Sequence, residues 1–288
     1  MLRYAVFMPG FDPAHEVLAA ETLIRLGVFV GVLVVLVAGE LLAPRRALTV
    51  PRLRRWPDNL AIVAIDTVLL RIVFPTAAVS LALVAEANGW GLLNLVAAPM
   101  WLAIPAAIIL LDLVIYGQHV LFHAVPVLWR VHRMHHADLD IDVTTGIRFH
   151  PVEILLSMVI KLGAVVVLGA PALAVMIFEI VLNATAMFNH SNIRLPEAVD
   201  RRLRRIVVTP DMHRVHHSIE ARETGSNFGF NLPWWDRLFS TYRAQPAAGH
   251  EGMTIGLPVF REWADLRLHR MLIQPLRRGI LLQGGHDD

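Results

Sequence analysis

The chain has 288 residues, of which 56% are hydrophobic and 17% charged, and its mean hydropathy is +0.54. A soluble chain carries about 25% charged residues, so this composition points to a membrane protein. It excludes a disulfide framework and a thiolate metal site, because there is no cysteine. A net charge of +2 is too small to argue for nucleic acid as a partner.

The start, Met1 to Glu21, lacks a long apolar core followed by a small-residue cleavage site, and is not read as a removed signal peptide. Crossing about 30 Å of hydrocarbon takes about 20 apolar residues. Stretches approaching that length run from about Leu23 to Leu42, from Leu60 to Val84 (interrupted by Asp66 and Arg71), and from Ala97 to Gly117. Two shorter ones, Val152 to Leu168 and Ala172 to Phe188, are joined by Gly169, Ala170 and Pro171 and read as a tight helical hairpin. Arg45, Arg46, Arg52, Arg54 and Arg55 crowd the first connection, whereas Glu86 to Val96 and the hairpin tip hold no basic residue. Basic loops stay in the cytoplasm. The expected topology therefore puts the N-terminus outside and the C-terminus in the cytoplasm.

Three histidine clusters follow from that topology onto the cytoplasmic side: His119 with His123, His132 with His135 and His136, and His213 with His216 and His217. Residues three and four apart share a helix face, so each cluster aims its imidazoles at one place. Eight imidazoles exceed the roughly six ligands one ion of this class takes, and the count points to two metals. Nitrogen donors suit iron, zinc, copper and nickel but not magnesium or calcium. Asp112, Tyr116, His119 and His123 form one helical stripe. Since a metal-bound imidazole commonly donates its other N–H to a carboxylate, Asp112, with Tyr116 beside it, is a candidate support for the site; an interhelical hydrogen bond is the competing role. Lys161, the single lysine, marks either a wet cavity or a hairpin that only dips into the membrane.

The order H-x-x-x-H, H-x-x-H-H and, after a hydrophobic hairpin, H-x-x-H-H resembles the fatty acid hydroxylase and sterol desaturase superfamily of integral-membrane di-iron enzymes, in its bacterial form. The likeness extends through F-H-P-V-E at Phe149 to Glu153, F-N-H-S-N at Phe188 to Asn192, T-P-D-M-H-R-V-H-H-S at Thr209 to Ser218, N-F-G at Asn227 to Gly229 and W-D-R-L-F-S-T-Y at Trp235 to Tyr242. The resemblance implies an all-α integral membrane bundle of four to five spans, the hairpin included, with a cytosolic helical cap holding a dinuclear iron site. It implies O2 as co-substrate and a lipid whose C–H bonds are hydroxylated or desaturated: a sterol, fatty acyl chain, ether lipid or isoprenoid. The eight clustered histidines become ligands by this likeness, and His190 matches another histidine the family often uses. Where some members read H-x-x-x-H, this chain has Ala186 four residues before His190. Either one iron has fewer protein ligands or His150 substitutes; His150 at the start of a helix beginning with Pro151 is equally suited to capping.

The implied division is an N-terminal membrane anchor at 1–110, a catalytic domain at 111–245 with its hairpin 152–190 embedded, and an amphipathic tail at 246–288. No flavin or nicotinamide fingerprint is present, so electrons come from a separate protein resembling cytochrome b5, ferredoxin or rubredoxin. The expected location is the bacterial inner membrane. His15, His250, His269 and His286 read as ordinary surface or core residues. Arg201 to Arg205 are expected to face lipid phosphates, Trp234 and Trp235 to anchor at the interface or pack the cap, and Met253 to Pro275 to pack. The competing class is a non-redox histidine-rich membrane metalloprotein, a zinc-dependent lyase or hydrolase or a metal transporter. A transporter places its ligands near the bilayer midplane, whereas these clusters fall on one face.

Overall fold

A computed structural model describes residues 18, 20–74 and 78–278. Among the described residues there is no β-strand, and the fold is all-helical. The long helices are α1 (Glu21–Leu42), α2 (Arg52–Val73), α3 (Ala78–Ala87) and α4 (Met100–Ala124). They are followed by α5 (Pro126–His136), α6 (Pro151–Leu168), α7 (Ala172–His190), α8 (Glu197–Leu203), α9 (Pro210–His216) and α10 (Trp234–Leu238). Among the described residues, five stretches have the length and apolarity to cross a membrane: α1, the stretch Arg52–Leu95 containing α2 and α3, α4, α6 and α7.

Exposure separates the two kinds of apolar surface. Val34 and Val35 on α1, Val68 on α2 and Val159 and Val167 on α6 point outward, which water would penalise and hydrocarbon welcomes. Inside, Ala78, Ala82, Ala107, Leu111, Val165, Ala174, Val175 and Phe178 pack α3, α4, α6 and α7 into one core. Alanine lets helices approach closely where lipid supplies no hydrophobic force between them.

The α6–α7 hairpin turns at Gly169, whose φ of 64° is left-handed and is adopted at little steric cost by glycine. It packs so tightly on the loop before α4 that a Cβ on Gly91 would lie 2.1 Å from the Gly169 nitrogen. Inside the bundle, Lys161 of α6 is ion-paired with Glu179 of α7, and Glu179 is bound in turn by Arg25 of α1 at 2.9 Å. Charge in a spanning segment is tolerated when paired, and this pairing gives Lys161 a structural role between α6 and α7.

Candidate metal centre

The site begins with a broken helix. Val125 precedes Pro126, and a residue before proline is driven out of the helical region; Val125 is extended at φ −96°, ψ 117°. Pro126 then occupies the first turn of α5, where a missing N–H costs nothing. The break folds α5 back onto α4, bringing His119 Nε2 to 3.2 Å from His132 Nε2 and His123 Nε2 to 3.1 Å from His136 Nε2. The start of α9 is set by Thr209, whose hydroxyl accepts the Met212 N–H, and by Pro210 at the first turn. Its last turn carries His213 and His216, with His217 just beyond.

Nine imidazoles resolve into two buried groups, within each of which one nitrogen per ring lies within 4.8 Å of the others. The first is His119, His123, His132, His136 and His216; the second is His135, His190, His213 and His217. Their outer nitrogens define tautomers. The Nδ1–H of His119 donates to Phe228 O (2.7 Å), that of His135 to Arg148 O (3.0 Å), that of His190 to Ala186 O (2.7 Å) and that of His216 to Ser226 O (2.7 Å). His132 Nδ1–H donates to the Glu153 carboxylate at 2.7 Å. Carbonyls and carboxylates only accept, so these rings hold their proton outside and turn a bare Nε2 lone pair inward.

Between His135 and His190, which both hold their proton outside, the inward lone pairs meet with no proton between them. His190 Nε2 lies 3.0 Å from His135 Nε2 and 3.1 Å from His213 Nε2, and His216 Nε2 and both nitrogens of His217 are buried without a hydrogen-bond partner. Burial, followed by the neighbouring imidazoles, holds His135, His136, His213 and His217 well below the ordinary histidine range, and burial takes His216 down to about 3. These five rings are therefore neutral near pH 7, the form that binds metal. Convergent, neutral, unpartnered lone pairs fit two cations.

A second layer holds the acceptors. Asp236 receives the N–H groups of Phe228 (2.8 Å) and Gly229 (2.9 Å) and the Thr241 hydroxyl (2.7 Å). A Cβ at Gly229 would meet that carboxylate at 2.7 Å, so the close approach requires glycine. Asn227, at φ 53°, donates its amide to Met212 O and Arg243 O and accepts the Arg243 N–H, all at 2.8 Å. The N-F-G and W-D-R-L-F-S-T-Y motifs are thus two halves of one clamp that presents carbonyls to His119 and His216. On the other side, Asp138 takes a forked pair from Arg55 at 2.9 and 3.1 Å, with Asp142 on the same guanidinium at 2.8 Å. Burial raises the Asp138 carboxyl and the Arg55 and Arg148 charges overcome it, leaving it below the usual range. This network anchors the loop 137–148 whose end supplies the Arg148 carbonyl.

The fatty acid hydroxylase family model matches residues 104–241, which contain both groups and the clamp. This stretch, just under half of the chain, is what is similar to the fatty acid hydroxylase family. Over 148 residues the chain is 29% identical to ornithine lipid hydroxylase OlsE of Rhizobium tropici, covering 51% of this chain and 44% of that protein. It is 23% identical over 150 residues to the alkylglycerol monooxygenase of Homo sapiens, covering 50% and 32%, and 26% over 159 residues to that of Xenopus tropicalis, covering 55% and 34%. The match thus spans less than half the length of these relatives. No solved structure matches the chain. With five described stretches long and apolar enough to span, the chain is a multi-pass membrane protein, and its matched stretch is similar to this family.

Some residues singled out in the sequence lie outside the two groups. His150 belongs to neither group: its Nδ1 accepts the Val152 N–H at 3.2 Å, capping α6, and its Nε2 meets Leu272 O at 3.1 Å. Asp112 reaches no imidazole. Its carboxylate accepts from Trp235 Nε1 (2.8 Å) and Leu232 N (3.2 Å), the interhelical role, because it stands about two turns below His119. The Tyr116 hydroxyl bonds Thr241 Oγ1 at 2.9 Å. Arg204 corrects the expectation for 201–205: it is buried against Asp200 and Ala244 O, while Arg201, Arg202 and Arg205 are exposed. His250 is buried, 3.5 Å from Asp211, and His269 is exposed; His15 and His286 lie outside the described residues. The tail packs through Met253, Ile255, Leu257, Leu266 and Met271.

The carboxylate missed as a support is Glu153, and its signal was in F-H-P-V-E: a glutamate in the first turn of the helix after His150. Asn227 and Asp236 also stood inside quoted motifs, with no sequence signal for what they hold.

Proposed function

We propose that the chain is a membrane-embedded lipid hydroxylase with two iron ions and O2 as co-substrate, reduced by a separate electron-transfer protein. The observation that carries this is the division of nine imidazoles, eight of them buried, into groups of five and four whose ring nitrogens converge. His119, His123, His132, His136 and His216 would hold one metal and His135, His190, His213 and His217 the other. The nitrogen donor set accepts zinc as well, and iron is the choice favoured by likeness to oxygen-inserting relatives named a lipid hydroxylase and a monooxygenase.

When bound, the two metals supply O2 activation, and the net conversion takes a C–H bond, O2, two electrons and two protons to an alcohol and water. The chain's own part is to hold the imidazoles neutral, to fix their tautomers through outer carbonyls and Glu153, and to keep the site dry. Of the nine rings only His123 is partly open, and that edge is the approach we assign to substrate. Hydroxylation is proposed ahead of desaturation. The lipid is proposed to come from the inner leaflet of a bacterial inner membrane, with the N-terminus outside and the metals and C-terminus cytoplasmic.

The test is expression in a lipid-producing bacterial host under 18O2, with lipid mass spectrometry against a His135→Ala control. One 18O atom in a lipid that the control lacks is the expected result; no oxygenated lipid, or oxygen derived from water, overturns it. Metal analysis should return close to two irons per chain. Reporters fused after Asp288 and near Gly89 should behave as cytoplasmic and external respectively; a cytoplasmic Gly89 removes the route for cytosolic electrons.

A further inference from the structure

The segment that closes the site is not confined to the cap. From Phe230 to Phe239 the chain runs back along the membrane helices: Phe230 O accepts the Asn189 amide (3.0 Å), Asn231 binds Thr185, Leu232 N donates to Asp112, and Trp235 Nε1 donates to Asp112. Phe239 then stacks on Tyr116 with ring centroids 5.5 Å apart. Asp112 and Tyr116 occupy the last two turns of the apolar run of α4, which ends at Gly117 ahead of Gln118 and His119. The depth of α10 is thereby fixed at the edge of the hydrocarbon.

Its outward face matches that depth. Leu238 is 66% exposed, Phe239 52% and, on the segment leaving α8, Ile206 60%. The two segments are one surface, since Trp234 Nε1 donates to Arg205 O at 2.8 Å and Arg237 to Arg204 O at 2.5 Å. Arg202 and Arg205 are exposed beside this apolar patch. In water such a patch invites aggregation; aliphatic and aromatic groups rimmed by arginine are what the boundary between acyl chains and phosphates selects.

We propose that the surface of residues 202–206 and 234–239 is immersed in the bilayer interface, with Ile206, Leu238 and Phe239 among acyl chains and Arg202 and Arg205 on lipid phosphates. It is continuous with the lipid-facing helices and stands one aromatic layer from the metal centre: Tyr116 contacts Phe228, and Phe228 contacts His123 at 5.1 Å. The assignment holds whatever reaction the centre performs.

The absence of cysteine makes the test direct. Nitroxides on Leu238→Cys and Ile206→Cys, in the full chain in nanodiscs containing phosphatidylglycerol, are compared with Val159→Cys on the lipid-facing side of α6 and Arg222→Cys on the cap. Collision with O2, which partitions into lipid, should exceed collision with a water-soluble nickel chelate at Leu238 and Ile206, as at Val159. Labels that follow Arg222 in nickel accessibility overturn the proposal. With Arg202→Glu and Arg205→Glu together, the Leu238 label should shift toward the aqueous pattern. No shift overturns the phosphate contacts while leaving the depth of α10 to be judged by the first arm.

Discussion

The five-histidine and four-histidine groups are built from the same residue type and are buried but for the edge at His123, yet they are held differently. In the first, one outer N–H partner is the carboxylate of Glu153, and the others are the carbonyls of Phe228 and Ser226. In the second, both partners found are backbone carbonyls, Arg148 O and Ala186 O. A carboxylate draws the Nδ1 proton and enriches the inward nitrogen, so the five-histidine group is the better host for higher positive charge. The four-histidine group depends on where loop 137–148 and the end of α7 sit. There, Gly146 allows an approach that a Cβ would bring within 2.2 Å of Ala186 O. The same residue type thus gives two groups of donors whose outer partners differ in charge.

The largest expected effects come from removing one ligand on each side. His216→Ala and His135→Ala should each abolish turnover and lower the metal content from near two toward near one per chain, measured by elemental analysis; full activity in either would break the two-group assignment. Next is Glu153→Gln, which should weaken one of the two metals by about 10–100-fold in a stepwise chelator titration and leave the other unchanged. Equal loss of both would erase the proposed difference between the groups.

Asp236→Asn keeps the shape of the clamp and removes its charge. It should cost about 1.5–3 kcal/mol, read as a lower denaturation midpoint in detergent, with a greater loss of metal from the five-histidine group, because both carbonyls the clamp presents serve that group.

A smaller effect is set by protons. His216 lies at about 3 in the folded chain against an ordinary 6.5, so between those values the unfolded chain binds more protons and stability falls as pH falls. The metal-free protein should therefore denature more readily as pH is lowered below 6.5, and metal should suppress the effect near pH 6 by occupying the lone pairs. A midpoint flat from pH 7 to 5 would mean the rings are not buried neutral. The smallest expected effect is His269→Ala, which should leave activity unchanged and stability within about 0.5 kcal/mol, because its side chain is exposed.

Periodicity and composition sufficed to make the fold class legible. Runs of apolar residues near the length of a bilayer mark α1, α4 and the α6–α7 hairpin, and Pro126, Pro151, Gly169 and Pro210 mark where helices start or stop, because these are local consequences of backbone sterics. The histidine clusters were legible for the same reason: spacing of three and four on a helix is a local geometry.

What lay beyond the sequence was every pairing across the fold. Spacing alone left open that His135 and His136, adjacent in the chain, serve different groups; the turn of α5 against α4 and α7 decides it, since neighbouring residues on a helix point about 100° apart. The stripe shared by Asp112 and His119 made that carboxylate a candidate support, but its target is the indole of Trp235, 123 residues away in sequence. Glu153 takes the supporting place because α6 packs on α5. Which stretches are apolar enough to span and which side chains can bind metal were readable from the chain, since those are properties of a residue and its neighbours. Which imidazole meets which acceptor was decided by tertiary structure alone, because a hydrogen bond needs two groups within about 3 Å and only the packed helices bring them there.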